Sequence, residues 1–249
     1  MNRTEKGIPR LLHYCWFGNA PMSKLAKRCI ASWRKYCPNY EIKRWTEKDI
    51  DVSANLYAKQ AYMNRKWAFV SDYARLKILF EEGGIYLDTD VELVRPLDGF
   101  LEYKGFSGFE GEGTVPTGLV GAVKGNKWIE RLLKDYEGRV FIDPAGKLNL
   151  TTNVQYITNA TEKFYGIKLS EGRVSLPDVE FYPSHWFCAK SLETRSVNIT
   201  ANTHAIHHFS GSWLGPIERA KIVLSSIIGK KGMVFLSSIK RKILAKVKK

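Results

Sequence analysis

The stretch EEGGIYLDTDVEL, residues 81–93, decides how the rest of the chain is interpreted. Two glycines follow a segment of helical pattern, and an apolar run then leads directly into Asp88 and Asp90. A buried carboxylate is costly unless a counter-charge or a metal ion compensates it. Side chains at positions i and i+2 share one face of a strand, so we expect the two carboxylates to point the same way.

The segments around this stretch have the order of an α/β domain. An apolar run at 10–18 and an alternating run at 40–46 predict two strands, and apolar residues at helical spacing predict a helix over 23–36 between them. A second predicted helix covers 64–84 and ends at the glycine pair, and the segment 85–94 predicts the next strand. The strand–helix–strand order predicts a parallel βαβ unit in a sheet flanked by helices.

The composition is that of a globular protein whose charge is unevenly distributed. The chain has 249 residues, of which 44% are hydrophobic, and a formal net charge of +14. Residues 217–249 contain ten Lys or Arg and one Glu, so most of the net positive charge lies in this segment. We therefore predict one globular domain over residues 1–216 and a basic, amphipathic helical tail over 217–249.

The cysteines and the hydropathy indicate a reducing compartment. None of the four cysteines forms a C-x-x-C pair, which disfavours a zinc ribbon or a redox motif. The first residues are too polar for a signal peptide, and no apolar run is long enough to span a bilayer. We therefore expect a cytoplasmic protein with reduced thiols.

A divalent cation is the partner that the aspartate pair favours. Mg²⁺ and Mn²⁺ prefer oxygen ligands and typically take one or two carboxylates together with substrate phosphates. The carboxyl end of a strand in an open α/β sheet is also where such folds bind nucleotides. These features favour a nucleoside-diphosphate sugar as substrate, since a metal ion stabilises the negative charge that forms on the departing diphosphate.

Two other classes of protein use some of the same features. Haloacid-dehalogenase-type phosphatases carry D-x-D-x-[TV] after their first strand, but here Glu92 follows Asp90 by two residues and the motif begins at residue 88. A basic nucleic-acid-binding protein would need positive charge organised with aromatic residues on a recognition fold, whereas most of this charge lies in the tail. Both alternatives are less favoured, and we expect no nucleic-acid partner.

Three motifs in this order resemble a known family. IPRLLHYCWFG (8–18), SDYARLKILFEEGGIYLDTD (71–90) and HHFSGSW (207–213) are similar to DXD-containing sugar transferases of capsular polysaccharide synthesis and, distantly, to the catalytic domains of large glucosylating toxins. The resemblance implies a glycosyltransferase-A type fold, which is a Rossmann-like, mixed and mainly parallel sheet flanked by helices. It covers residues 8–98 well and residues 204–213 moderately.

The resemblance also implies roles for residues of the first two motifs. Trp16 matches an aromatic residue that stacks on the uracil ring of the donor. Tyr86 matches a position near the sugar, with a place in the sheet core as the alternative. Asp72 and Arg75, at i and i+3 of one helix face, match a pair that grips the donor sugar and phosphate.

For the metal site, the resemblance implies that Asp90 is a direct ligand of Mn²⁺ or Mg²⁺. Asp88 would contact the ribose, the sugar or metal-bound water. The family closes this site from the HHFSGSW loop, where the toxins have a carboxylate and this chain has histidine. We therefore expect His208 as a second ligand, with His207 as the alternative.

The reaction that the resemblance implies is a retaining transfer of a hexose or N-acetylhexosamine from a UDP-sugar to a saccharide acceptor, in surface polysaccharide synthesis. Ser212 and Trp213 would close over the diphosphate. Candidates for an enzymatic nucleophile are Glu110, Glu112 and Asn153. Front-face attack by the acceptor hydroxyl, with the diphosphate taking the proton, needs no such nucleophile and is favoured.

The segment 217–249 combines an apolar stripe at helical spacing with many lysines. This pattern is typical of an interfacial helix, in which each basic residue near an anionic leaflet contributes about 1 kcal/mol. We expect peripheral contact with the inner face of the cell membrane, where a polyprenyl-linked saccharide acceptor would lie. The alternative is a helix packed on the domain or on a partner subunit.

Overall fold

The structure, a computed structural model, describes residues 7–211, which form two sheets with flanking helices. The strands are β1 (Leu11–Cys15), β2 (Glu41–Trp45), β3 (Gly84–Leu87), β4 (Val91–Leu93), β5 (Gly105–Gly108), β6 (Leu119–Ala122), β7 (Val174–Leu176), β8 (Val179–Tyr182) and β9 (Ala205–His207). The helices are α1 (Lys24–Tyr36), α2 (Leu56–Met63), α3 (Trp67–Glu82), α4 (Lys127–Lys134), α5 (Asn153–Tyr165) and α6 (Ser184–Phe187). Within 7–211, no helix has both the length and the apolar character needed to cross a bilayer. The predicted tail 217–249, together with Ser212 and Trp213, lies outside the described residues.

The larger sheet confirms the predicted fold class. Its seven strands have the order β2-β1-β3-β6-β5-β8-β7. β1 pairs in parallel with β2 and β3, and β5 pairs in parallel with β8, whereas β6 and β7 run antiparallel to their neighbours. The sheet is therefore mixed and mainly parallel, and the carboxyl ends of β1, β3, β5 and β8 lie at one edge.

The N-terminal βαβ unit forms as its sequence pattern predicts. Ser23 caps α1, since its hydroxyl accepts a hydrogen bond from the Ala26 amide at 3.1 Å. Apolar residues of α1 at helical spacing, Cys29, Ile30 and Trp33, are buried against the sheet. α1 thereby connects two strands, β1 and β2, that pair in parallel.

Alternate residues of the central strands pack into two cores, one on each face of the larger sheet. Ile85 and Leu87 of β3 lie in one core together with α1, and Tyr86 between them lies in the other. That other core also contains the apolar residues of α3, α4 and α5. Helices therefore cover both faces of the sheet, as expected for a mainly parallel sheet.

The segment 85–94, which the sequence predicts as one strand, forms two separate strands, β3 and β4. α3 ends before the glycine pair, where Gly83 adopts a φ of +70°. Residues 88–90 form a turn, closed by a hydrogen bond of 2.9 Å from the Val91 amide to the Asp88 carbonyl. β4 then leaves the larger sheet and pairs antiparallel with β9. The turn at the two aspartates thus divides the predicted strand between two sheets.

Gly121 of β6 permits close packing at the centre of the larger sheet. It lies opposite Phe106 in the β5–β6 pair, and the Phe106 ring covers it. A Cβ atom at residue 121 would lie 2.1 Å from Cε1 of this ring, which is fully buried. The ring has no free space into which it could move without disturbing the core.

We expect Gly121→Ala to lower the free energy of unfolding by about 1–3 kcal/mol, because the added methyl group overpacks the core. Gly138→Ala is the control, since a Cβ atom there meets nothing within 4 Å; its effect should stay within about 0.5 kcal/mol. Denaturant unfolding followed by circular dichroism measures both variants. Equal midpoints for Gly121→Ala and the wild-type protein would contradict this packing.

Candidate active site

The carboxyl edge of the larger sheet gathers polar and aromatic side chains from distant parts of the chain. Trp16 follows β1, Asp88 follows β3, and Glu110 lies two residues beyond β5. Thr117 precedes β6, whose antiparallel direction brings its amino end to the same edge. Open α/β sheets bind their ligands at this edge.

A group of three side chains at this edge could hold a metal ion. The ligand atoms of Asp88, Asp90 and His207 all lie within 4.8 Å of one another. The turn at 88–90 brings the two carboxylates together, and the β4–β9 pair places His207 opposite Val91. The predicted proximity of the aspartates is confirmed, although a turn produces it and not a continuous strand.

The immediate neighbours of Asp90 stabilise its ionised form. His207 Nε2 lies 3.3 Å from Asp90 Oδ1, and the Ser210 amide donates to Oδ2 at 2.8 Å. Burial alone would raise the pKa of Asp90, but His207 and Ser210 outweigh it and lower this pKa below its usual value. Burial alone would lower the pKa of His207, but Asp90 outweighs it and raises this pKa. The two side chains form an ion pair, and a metal ion that bound both would displace the imidazole proton.

His207, and not His208, lies beside the two aspartates, and which of the two histidines binds a metal ion stays a prediction. His208 Nε2 lies 2.7 Å from Oε2 of Glu92, and the guanidinium of Arg28 lies 3.3 Å from the same oxygen. Successive side chains of an extended segment point to opposite sides. Since His207 contacts Asp90, His208 points to the other side, toward Glu92 of β4 and Arg28 of α1.

Arg75 links α3 to the ends of β3 and β6 at the base of the site. Its Nη2 donates to Asp72 Oδ1 at 2.9 Å, and its Nη1 donates to Asp88 Oδ2 at 3.2 Å and to the Thr117 carbonyl at 2.7 Å. The side chain is only 4% exposed. Burial alone would lower the pKa of Arg75, but Asp88 and its other anionic neighbours raise it, so the guanidinium stays charged.

Asp72 is buried beside this guanidinium and has a second partner on α5. Asn153 Nδ2 donates to Asp72 Oδ1 at 3.2 Å, and the Tyr136 hydroxyl donates to Asn153 Oδ1 at 2.9 Å. Burial raises the pKa of Asp72 to about 6, against the opposing effect of Arg75. The predicted placement of Asp72 and Arg75 on one helix face is confirmed, and their contact with a donor stays a prediction.

Tyr86 lies in the sheet core, which was the alternative to a position near the sugar. Its side chain is 1% exposed. The hydroxyl donates to Asp88 Oδ1 at 3.1 Å, and the Arg75 guanidinium carbon lies 4.7 Å from the ring centroid. Tyr86 therefore orients Asp88 and does not itself line an open surface.

Trp16 is partly exposed at the end of β1. Its indole N–H donates to the Ala20 carbonyl at 2.7 Å, and its backbone amide donates to the Trp45 carbonyl at 2.8 Å. These bonds fix the position of the ring at the carboxyl edge. Stacking of uracil on the ring stays a prediction.

Of the three candidate nucleophiles, Glu110 is the one that lies close to the aspartate pair. Asn153 is hydrogen-bonded within the Arg75 network, and Glu112 is exposed. Sequence reasoning missed Thr117 and Ser210. Thr117 lies at the carboxyl edge because β6 runs antiparallel to β3, a direction that no local pattern indicates.

Comparisons with known proteins show what this chain is similar to. A family model described as a glycosyltransferase sugar-binding region containing a DXD motif matches residues 23–106. The chain is 26% identical over 200 residues to inositol phosphoceramide mannosyltransferase 3 of Schizosaccharomyces pombe. This alignment covers 76% of this chain and 52% of that protein. It is also 26% identical over 163 residues to Subversion of eukaryotic traffic protein A of Legionella pneumophila. That alignment covers 51% of this chain and 25% of the Legionella protein.

The fold is similar to that of a solved glycosyltransferase. The PaToxG glycosyltransferase matches with a TM-score of 0.51 and 20% identity, covering 64% of this chain and 70% of that chain. The resemblance and the glycosyltransferase-A type fold predicted from the sequence are confirmed. The chain spans about half the length of the yeast relative and a quarter of the Legionella protein.

We expect His207→Ala to weaken Mn²⁺ binding by at least about tenfold, because it removes one of three converging ligand groups. His208→Ala is the matched control, and its Mn²⁺ affinity should stay within about twofold, since His208 faces Glu92 and Arg28. Electron paramagnetic resonance of free Mn²⁺ measures both affinities, and thermal unfolding checks that both variants fold. Greater weakening in His208→Ala than in His207→Ala would contradict this assignment.

Proposed function

We propose that this protein is a metal-dependent glycosyltransferase that moves a hexose or N-acetylhexosamine from a UDP-sugar to a saccharide acceptor. One observation carries the proposal. His207 lies outside the residues that match the family model, yet the fold brings it within 4.8 Å of the two aspartates that lie inside them. Two aspartates in an ordinary solvated turn have no need of a nearby histidine. Here a separate strand, β9, supplies His207 as a third side chain of a type that binds metal ions.

The three side chains suit a hard divalent cation. Mn²⁺ accepts carboxylate and imidazole ligands and usually completes its coordination with phosphate oxygens and water. A cation bound here would stabilise the negative charge that develops on the departing diphosphate. Asp90 is the direct ligand in this proposal. Asp88 is engaged by Arg75 and Tyr86 through its two oxygens, which favours an indirect role and does not suit the aspartyl nucleophile of the phosphatase alternative.

The buried network prepares the site for an anionic donor. Arg75 offsets the negative charges of Asp72 and Asp88, so that a diphosphate would not meet two uncompensated carboxylates. Asp72 would accept hydroxyl groups of the donor sugar, and Trp16 would support the uracil ring. Base, diphosphate and sugar would then lie along one edge of the sheet.

The transfer that we propose retains the configuration of the anomeric carbon. The acceptor hydroxyl oxygen bonds to this carbon on the face from which the diphosphate departs. The bond between the carbon and the diphosphate oxygen breaks, its electron pair leaves with UDP, and the hydroxyl proton passes to a diphosphate oxygen. The hydrogen-bonded position of Asn153 and the exposed position of Glu112 are consistent with a route that needs no enzymatic nucleophile.

We infer a lipid-linked saccharide acceptor at the inner face of the cell membrane, in surface polysaccharide synthesis. The yeast relative is named for a lipid acceptor, inositol phosphoceramide. The basic segment 217–249 would attract anionic lipid headgroups. Because that relative is named a mannosyltransferase, a donor screen should include a mannose nucleotide beside UDP-glucose, UDP-galactose and the UDP-N-acetylhexosamines.

Asp90→Asn should reduce donor turnover by at least about 100-fold and abolish Mn²⁺-dependent donor binding, since it removes the charged metal ligand. Release of UDP from each donor of the screen, and calorimetry with UDP and Mn²⁺, measure the two effects. Asp98→Asn is the control, because Asp98 forms an exposed ion pair with Arg10, and exposed ion pairs contribute little. Wild-type turnover that persists undiminished in excess chelator would rule out the metal-dependent mechanism.

Deleting residues 217–249 should abolish co-sedimentation with liposomes that contain anionic lipid and leave UDP binding unchanged. The reason is that the segment carries ten of the 39 Lys and Arg residues of the chain. Neutral liposomes are the control, and the full-length chain should bind them more weakly. Equal sedimentation of the full-length and shortened chains would overturn the proposed membrane contact.

A further inference from the structure

Glu110 is held at the carboxyl edge by a tight hairpin. Its backbone amide donates to the Thr114 carbonyl at 2.9 Å, and the Thr114 amide donates to the Gly111 carbonyl at 2.9 Å. Gly111 and Gly113 have φ angles of +129° and +76°, a region of backbone conformation that favours glycine. The backbone of this hairpin therefore sets the position of the Glu110 carboxylate.

The carboxylate of Glu110 lacks polar contacts in the part of the chain that the structure describes. Among residues 7–211, its oxygens take part in no hydrogen bond and no ion pair. Burial raises the pKa of Glu110, His207 lowers it, and the nearby charges of Asp88 and Asp90 raise it further. A partly buried carboxylate beside two others is costly unless a binding partner compensates it.

The neighbouring acids differ from Glu110, because the fold supplies their partners. Asp72 and Asp88 share Arg75, and Asp90 has His207 and the Ser210 amide. Glu110 also lies outside the group whose ligand atoms converge within 4.8 Å, which among the described residues consists of Asp88, Asp90 and His207. Its missing partner is therefore better supplied by a bound substrate than by the metal ion.

The order of the strands indicates which part of a substrate would reach Glu110. Along the carboxyl edge, Trp16 follows β1, Asp88 follows β3, and Glu110 follows β5, with only β6 between β3 and β5. Two strand spacings amount to about 10 Å. A donor with its base at Trp16 and its diphosphate at Asp88 would therefore extend its sugar, and the acceptor beyond it, toward β5.

We propose that Glu110 accepts hydrogen bonds from carbohydrate hydroxyl groups in the active site, either of the transferred sugar or of the acceptor. This assignment rests on the proposed glycosyltransferase function and names a further residue that contacts substrate. A carboxylate offers two acceptor oxygens that can receive neighbouring hydroxyls. Glu110 thereby contributes to the choice of sugar without binding the nucleotide.

The variant Glu110→Gln tests the assignment. The matched control is Glu112→Gln, which changes an exposed residue of the same hairpin. We expect Glu110→Gln to lower kcat/KM for transfer by at least about tenfold, since hydrogen bonds to charged groups are strong. Glu112→Gln should match the wild type. Calorimetry with UDP and Mn²⁺ should give the same affinity for all three proteins, because UDP lacks the transferred sugar and the acceptor whose hydroxyl groups Glu110 would bind.

Hydrolysis of the donor in the absence of acceptor distinguishes the two sources of hydroxyl groups. An equal loss of hydrolysis and transfer in Glu110→Gln assigns the residue to the transferred sugar. Unchanged hydrolysis with a raised KM for acceptor assigns it to the acceptor. Wild-type kinetics for Glu110→Gln would overturn only the role of Glu110, whereas a wild-type protein that turns over no donor would overturn the proposed function and this inference with it.

Discussion

The buried guanidinium of Arg75 is the interaction on which the rest of the site depends. It binds Asp72 from its own helix, Asp88 from the end of β3 and Thr117 from the start of β6. The carboxylates of Asp72 and Asp88 would repel each other without this cation. Arg75 offsets part of their combined negative charge, and it connects the helix that precedes a central strand to the motif that follows that strand.

A second constraint is the small sheet formed by β4 and β9. After the turn at 88–90, the chain leaves the larger sheet and pairs with residues that lie more than a hundred positions later. This pairing sets His207 opposite Val91, and the His208 amide donates to the Asp90 carbonyl. The candidate metal site thus consists of one local motif and one residue that only the tertiary fold could place beside it.

Local patterns predicted the parts of the fold that depend on local physics. The βαβ unit, the cap at Ser23 and the helix that ends at the glycine pair follow from periodicity and turn chemistry. The choice between His207 and His208 could not be made, because a shift of one residue in strand register exchanges their faces. Thr117 and Asn153 join the site through strand direction and long-range packing, and neither property is written in the spacing of neighbouring residues. The division of the apolar run at the aspartates was missed for the same reason, since β4 finds its partner far along the chain.

The central claim is that a divalent cation at the aspartate turn holds the diphosphate of a sugar nucleotide. Diffraction from crystals grown with Mn²⁺ and UDP, with anomalous data collected near the manganese absorption edge, tests it most directly. We expect an anomalous peak within coordination distance of both Asp90 and His207, with the diphosphate bound to it and the uracil against Trp16. A manganese peak elsewhere, or UDP bound away from this edge of the sheet, would contradict the claim.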